Sequence, residues 1–398
     1  MRGGPAVLIA AQSGRALAEA ARRAGFRPYV ADLFGDADTL DLAEAHRGLP
    51  GRFGTGRLGG EAVLGALDAL RDAAGHGTLG VVLGSGFEGA PDLVARIGAR
   101  HRLLGAGPET IAALKDPFRF AALCERLEIP HPAVTPGPVE SPEKFLLKRA
   151  GGSGGSHIRA AVRGRAPPGH YLQARVPGRP YALNLLCDGS GARPLALTEQ
   201  WGSPSPLRPF RYAGALARGR DEPAPLPPEI VAAVAEAANR IAAETGLVGL
   251  ASADLLCDGA RWWLTEINPR PGATIDVLDR RESPLLAAHV AACLGEIPPL
   301  PPAPVDAAAA EIWYGAQTYR IGTSAGWPDH LRDRPRAGSV IERGCPVCTV
   351  LATGADAGAA IGNLRERAAA LHALLDRETT HEHGPDLSER ERAHGAPH

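Results

Sequence analysis

The chain has 398 residues, 44% of them hydrophobic, which is enough apolar material for two or three packed units. Its 43 Lys+Arg and 44 Asp+Glu leave a formal net charge of −1, mixed along the chain, which excludes a general nucleic-acid or membrane-surface binder. No apolar run approaches the ~18 residues of a membrane helix, and Pro5 to Ala11 is short with no cleavage pattern, so a cytoplasmic protein with no membrane partner is expected.

In chain order, Ala6 to Ala10 is an apolar run predicted as a strand. Arg15 to Ala24 has helical spacing, and Arg27 to Leu33 reads as a second strand. Gly80 to Leu83 and His101 to Leu104 are two further predicted strands, which makes residues 1–107 an open, mostly parallel α/β unit. Asp32 stands about 20 residues after the first turn, but that turn has no G-x-G-x-x-G, which argues against nicotinamide binding. Gly84-Ser85-Gly86 with Glu88 follows a strand's C-terminal end, where ligands bind in such sheets, or is an ordinary turn.

Pro108 to Leu127 is predicted helical. Lys144 to Lys148 reads as a strand, and Gly151-Gly152-Ser153-Gly154-Gly155 as a glycine loop. Tyr171 to Val176 and Tyr181 to Cys187 are strands on either side of Pro177-Gly178. Glu229 to Thr245, stopped at Gly246, is the clearest helix. Leu250 to Cys257 and Arg261 to Ile267 form an expected hairpin around Asp258-Gly259. Residues 108–296 are thus one mixed unit. Ile297 to Val305 is a Pro-rich linker into a smaller α/β segment, residues 297–375. Residues 376–398, charged and His-rich, are expected to be a disordered tail, with His381 and His383 solvated rather than metal-bound. The six cysteines are too sparse for a disulfide framework, and Cys345-Pro346-Val347-Cys348, lacking a second pair, reads as a turn entering a strand.

Two groups of residues carry chemistry. Lys148 ends the strand Phe145-Leu146-Leu147 and precedes the glycine loop. Loop N–H groups can face phosphate oxygens, and Lys148 adds a compact charge to them. No Gly-Lys-Ser/Thr closes the loop, so it is not a Walker A sequence. Strand alternation puts Glu266 and Asn268 on one face, and Asp254 lies on the preceding strand. Two carboxylates and an amide oxygen form a hard set suited to Mg²⁺, and Arg270 adds a fixed cation for charge developing on a transferring phosphoryl group. The bland readings are a flexible linker and a strand-end acid pair before a plain turn. Only three of the basic residues are lysines, Lys115, Lys144 and Lys148.

Together these residues resemble the ATP-grasp superfamily over roughly residues 1–375. The resemblance implies a Rossmann-like pre-ATP-grasp domain (1–107), an ATP-grasp domain of two α+β subdomains (108–296) and the C-terminal segment. It implies ATP and Mg²⁺ as cofactors. Lys115 in Leu114-Lys115-Asp116-Pro117-Phe118 matches the first nucleotide lysine, Lys148 the second, and Gln173-Ala174-Arg175-Val176 the hinge that reads adenine. Asp254, Glu266 and Asn268 match the magnesium ligands, and Arg270 and Lys148 the catalytic cations. Gln173 replaces a usual hinge acid, Pro180 stands near the ribose position, and Ser252 replaces an arginine some ligases carry.

Gly84 to Glu88, Leu197 to Gln200, Phe210 to Gly214, Asp333-Arg334-Pro335 and Gly344 to Val347 resemble a narrower group. These are carboligase-like ATP-grasp proteins linked to tetrahydromethanopterin and methylofuran pathways, where a related ligase joins glutamate to tyramine. The resemblance implies an acyl-phosphate ligase joining a small-molecule carboxylate to an amine, and it allows a homodimer. Glu88, Glu199, Arg208, Arg211 and Tyr212 are the substrate-side candidates, the last four placed on a Pro-rich loop over the site. The rivals are a carboxylase acting on bicarbonate, a non-catalytic nucleotide-binding protein, and an NAD-dependent oxidoreductase.

Overall fold

The computed structural model describes residues 4–54, 58–75, 77–322 and 326–378. The first unit alternates strand and helix: β1 Ala6–Ala10, α1 Arg15–Arg23, β2 Arg27–Asp32, α2 Ala37–Leu42, β3 Ala45–Gly48, α3 Gly60–Ala74, β4 Thr78–Leu83 and α4 Pro91–Gly98. The strands form a parallel sheet in the order β3-β2-β1-β4. Every residue of β1 is buried, because helices cover both faces of a parallel sheet. Its alternate residues feed two cores. Ala6, Leu8 and Ala10 pack with Val63, Leu64 and Leu67 of α3, while Val7 and Ile9 pack with Leu17 and Ala21 of α1.

His101–Leu104 does not form the expected strand. Only Leu103 bridges to Val81, with Val81 N donating to Arg102 O and Leu104 N to Val81 O, before the chain turns at Gly105. The helical stretch after it is two helices, α5 Pro108–Lys115 and α6 Pro117–Arg126. The Asp116 carboxylate accepts from Phe118 N and Arg119 N, and Pro117 has no N–H to continue α5. The break fixes Lys115 at the end of α5, pointing inward.

A small antiparallel sheet follows, ordered β5-β8-β6-β7, from β5 Val134–Thr135, β6 Phe145–Arg149, β7 Arg159–Ala160 and β8 His170–Ala174. The remaining elements are β9 Arg179–Asp188, β10 Ala192–Gly202, β11 Tyr212–Ala217, α7 Pro228–Thr245, β12 Val248–Cys257, β13 Trp262–Asn268, α8 Ile275–Leu278, α9 Leu285–Cys293, β14 Ala307–Tyr314, β15 Tyr319–Arg320, β16 Leu331–Arg332, β17 Val340–Ile341, β18 Pro346–Gly354 and α10 Ala357–Glu378. Eight of these strands make one sheet, β13-β12-β9-β10-β11-β14-β18-β16, and β15 pairs with β17. Residues 297–375 thus share a sheet with the preceding segment through β14, β16 and β18. α7 starts with Pro228 at its first turn and stops at Gly246, whose φ of 60° only glycine adopts freely. α10 reaches Glu378, past the expected start of the tail at 376; residues 379–398, with His381 and His383, lie outside the described residues.

Arg15 ties the first unit to the large sheet. It is 1% exposed and donates to both oxygens of Asp276 at 2.5 and 2.7 Å, to Asp333 at 3.0 and 3.1 Å, and to Glu19 at 3.2 Å. Asp333 also accepts from Ser13 Oγ and Thr349 Oγ1. Among the described residues no helix is long and apolar enough to cross a membrane.

Candidate active site

The hairpin of β12 and β13 forms the floor. Its register sets Asp254 opposite Glu266 and Ser252 opposite Asn268, so the alternation read from sequence brings the two carboxylates and the amide to one face. Lys115, from the end of α5, reaches this face. Its Nζ lies 3.3 Å from Glu266 Oε2, 3.2 Å from Asn268 Oδ1 and 3.4 Å from Ile267 O. Asn268 Nδ2 donates to Asp254 Oδ2 at 2.9 Å. Lys148 descends from β6 in the small sheet, is 6% exposed, and donates to Gln173 Oε1 at 3.0 Å.

These groups perturb one another. Burial raises the Glu266 carboxyl, but Lys115, Lys148 and His157 outweigh it and bring it down to about 2. Burial and the charge of Glu266 push Asp254 up to about 7, against the pull of Lys115 and Arg270. Burial lowers the Lys148 ammonium, which Glu266 partly restores. Two neighbouring carboxylates in a dry site do not ionise independently, so Glu266 takes the charge and Asp254 is pushed toward its neutral form. A magnesium ion fits this face on donor chemistry: Asp254, Glu266 and Asn268 offer only hard oxygens. They would hold the ion, and the ion would neutralise phosphate charge there.

The glycine loop roofs the face. Gly151, Gly154 and Gly155 have φ of 67°, 65° and 68°. A Cβ on Gly155 would lie 1.9 Å from Phe210 O, and one on Gly151 2.3 Å from Gly89 Cα. Tyr212 N donates to Gly154 O, pinning the loop to β11. Gly155→Ala is therefore expected to lift the loop. The check is a nucleotide titration, with at least a tenfold weaker MgATP affinity expected and the global fold retained.

The loop separates two cavities. Gly151 and Gly152 line a narrow one with Lys115, His131, His157, Tyr171, Gln173 and Glu266. Ser153 and Gly154 line a larger one, about 210 Å³, with Arg15, Asp36, Tyr212, Arg270 and Asp333. His131, His157 and Tyr171 were not singled out by sequence. His157 is adjacent to the glycine run, and burial pushes its imidazole down to about 4, so it stays neutral. At the hinge, the Ala174 and Arg175 amides are used by Ala133 O and Lys144 O. Val176 N–H has no hydrogen-bond partner among the described residues.

Arg270 and the substrate-side candidates fall differently. Arg270 Nε donates to Glu88 Oε1 at 2.7 Å, and Gly86 N to Glu88 Oε2 at 2.7 Å. Glu88 is 4% exposed. Burial raises its carboxyl, but Arg270 and Lys115 hold it low. It is paired with Arg270, and the two line a small cavity with Gly84 and Phe87. Glu199 is not on the expected loop. It stands on β10, opposite Tyr181 and Leu216, and pairs with Arg218 at 2.8 Å and Arg179 at 3.6 Å, because the segment read as loop continues the sheet. Arg211 is spent on Ser203 O and Gly344 O and stacks on the Tyr314 ring at 3.6 Å. Arg208 lies on the same turn, 3.5 Å from Gly344 O. Tyr212 faces the larger cavity from β11.

Residues 118–274 match the family model described as "ATP-grasp domain". No curated protein matches the chain. Among solved structures, a biotin carboxylase domain of a single-chain bacterial carboxylase superposes with a TM-score of 0.67 at 19% identity, covering 98% of this chain and 95% of that one. The biotin carboxylase domain of Hydrogenobacter thermophilus 2-oxoglutarate carboxylase, a dimer solved with MgADP and bicarbonate, gives 0.68 at 12% identity, covering 92% and 90%. N5-carboxyaminoimidazole ribonucleotide synthetase from Thermotoga maritima gives 0.62 at 14%, covering 92% and 98%. Lys148, Asp254, Glu266 and Asn268 thus lie within the segment 118–274 that matches the ATP-grasp domain model, with Lys115 just ahead of it, on a fold similar to that of biotin carboxylase domains.

Proposed function

We propose that the chain is an ATP-dependent carboxylate–amine ligase working through an acyl phosphate. The observation that carries this is the convergence of two lysines from separate elements on one carboxylate-bearing hairpin, beneath a glycine loop. In this reading the Val176 amide reads adenine, and Lys115, Lys148 and the loop hold the phosphates. A substrate carboxylate oxygen attacks the γ-phosphorus as its bond to the ADP oxygen breaks. Arg270, oriented by Glu88, faces the charge that develops. The amine nitrogen then attacks the acyl carbon, phosphate leaves, and one proton is lost, giving amide, ADP and phosphate. Positioning and electrostatics supply the catalysis, and no covalent enzyme intermediate is needed. A role in C1-carrier cofactor biosynthesis, joining glutamate to an amine, is the finer form of this proposal. It rests on the short motifs from Gly84 to Val347, and a cytoplasmic homodimer belongs with it.

Likeness to biotin carboxylase domains favours a second reading, carboxylation with bicarbonate. ADP release from MgATP, measured against amino acids, di-acids and amines with and without bicarbonate, separates the two. Release requiring an acid and an amine together is expected. Release requiring bicarbonate and no amine would replace the ligase reading with the carboxylase one.

A further inference from the structure

The larger cavity is lined by an acid that has no ion-pair partner among the described residues. Asp36, at the end of the β2–α2 loop, is 9% exposed and lines that cavity. Its carboxylate has no hydrogen bond or ion pair among the described residues, and it does not cap α2. Every neighbouring charge is already used. Arg15, whose charge acts on Asp36, is shared by Asp276 and Asp333. Asp32 accepts from Gly14 N and Gly35 N and meets His46 at 2.9 Å. Asp38 faces Arg334 at 3.8 Å. Burial, then Asp333, Asp32 and Asp38, push the Asp36 carboxyl up to about 9, with only Arg15 pulling it down. A buried, unpaired acid aimed into open space is a group awaiting a cation.

The walls say what kind. Phe34 and Phe53 meet at 5.6 Å between ring centroids, and Leu17, Ala16, Ala273 and Val347 continue an apolar surface. A hydrated metal ion needs several unshared oxygen ligands, whereas the other acids on this cavity are shared, Asp276 and Asp333 with Arg15 and Glu311 with the Trp201 indole. At the other end the cavity touches Ser153, Gly154 and Arg270, the loop and cation of the reaction site.

We propose that this cavity binds an organic ammonium ion with an apolar body, its nitrogen against the Asp36 carboxylate and its carbon skeleton against the Phe34–Phe53 pair. The proposal rests on the ligase reading, for it names the class of amine that reading requires and the residue that recognises it. It also gives that amine a position from which to meet an acyl group held beside Arg270. A bicarbonate ion, being an anion, is a poor occupant of the same space.

The test is calorimetric titration of the full chain, without ATP, using benzylamine, 2-phenylethylamine and butylamine, with benzyl alcohol as the neutral isostere. The aryl amines are expected to bind at least about tenfold more tightly than the alcohol, and Asp36→Asn to remove that advantage. Burial and the neighbouring acids push the Asp36 carboxyl up to about 9, so it is expected to be protonated at neutral pH in the free protein and to ionise against a bound ammonium. Binding should therefore release close to one proton, and affinity should rise with pH between ~6.5 and ~8.5 by up to tenfold per unit. Asp36→Asn should lose the proton release while melting no earlier than wild type. Equal binding of amine and alcohol, wild-type amine affinity in Asp36→Asn, or no binding of any of the three amines would overturn the proposal. Amine binding that depends on Asp36, with no ADP release for any acid–amine pair, would sink the ligase reading and leave this site standing. Ligation with an unchanged amine KM in Asp36→Asn would do the reverse.

Discussion

Glu266→Gln is expected to abolish ATP turnover, at least about a hundredfold in kcat, while the far-ultraviolet spectrum and thermal midpoint stay near wild type. The substitution keeps shape and removes one charge from a face where Lys115 lies 3.3 Å away and Asp254 sits opposite. The carboxylate pairs with the Lys115 ammonium, and in the proposed reading it would also offer a hard oxygen to magnesium. Lys148→Ala should have a similar effect by a different route, because it removes the buried ammonium that donates to Gln173, a residue lining the glycine loop's cavity. Among the described residues its Nζ makes one hydrogen bond, which leaves ammonium donors for a phosphate. Wild-type turnover in either variant would defeat the site assignment. Unfolding in both would show that these residues are structural instead.

Arg15→Met is expected to destabilise the protein by about 3–5 kcal/mol, the usual result of stranding buried carboxylates. Arg15 is 1% exposed and serves Asp276, Asp333 and Glu19, so its loss leaves two part-buried acids facing each other across an emptied position. Those acids come from α8 and from the segment before β17, so the contact also fastens the first unit to the large sheet. Urea unfolding measures it. A lower midpoint with an unchanged slope is expected, and a change below ~1 kcal/mol would mean the network contributes little.

The face formed by Asp254, Glu266 and Asn268 was legible in the sequence because its signals are local. Strand alternation alone places Glu266 and Asn268 on one face, and the hairpin turn at Asp258-Gly259 puts Asp254 opposite. Lysines retained in an Arg-rich chain marked Lys115 and Lys148. What was not legible depends on long-range pairing. Glu199 read as loop because Pro-rich flanks hide a strand whose partners, β9 and β11, lie on either side of it. Edge strand β3, Ala45–Gly48, has a polar sequence with no alternation to find. The pairing of Glu88 with Arg270 spans 182 residues, and Asp36 acquires meaning only when the acids around it are seen to be taken. His157 shows no pattern of its own and matters through burial beside Gly152.

The most direct measurement is calorimetric binding of ATP to the purified chain in excess magnesium and again in excess chelator. The account predicts one nucleotide per chain, bound at least tenfold more tightly with magnesium, because Asp254, Glu266 and Asn268 contribute only through the ion. No binding in either condition, or binding indifferent to magnesium, would contradict it.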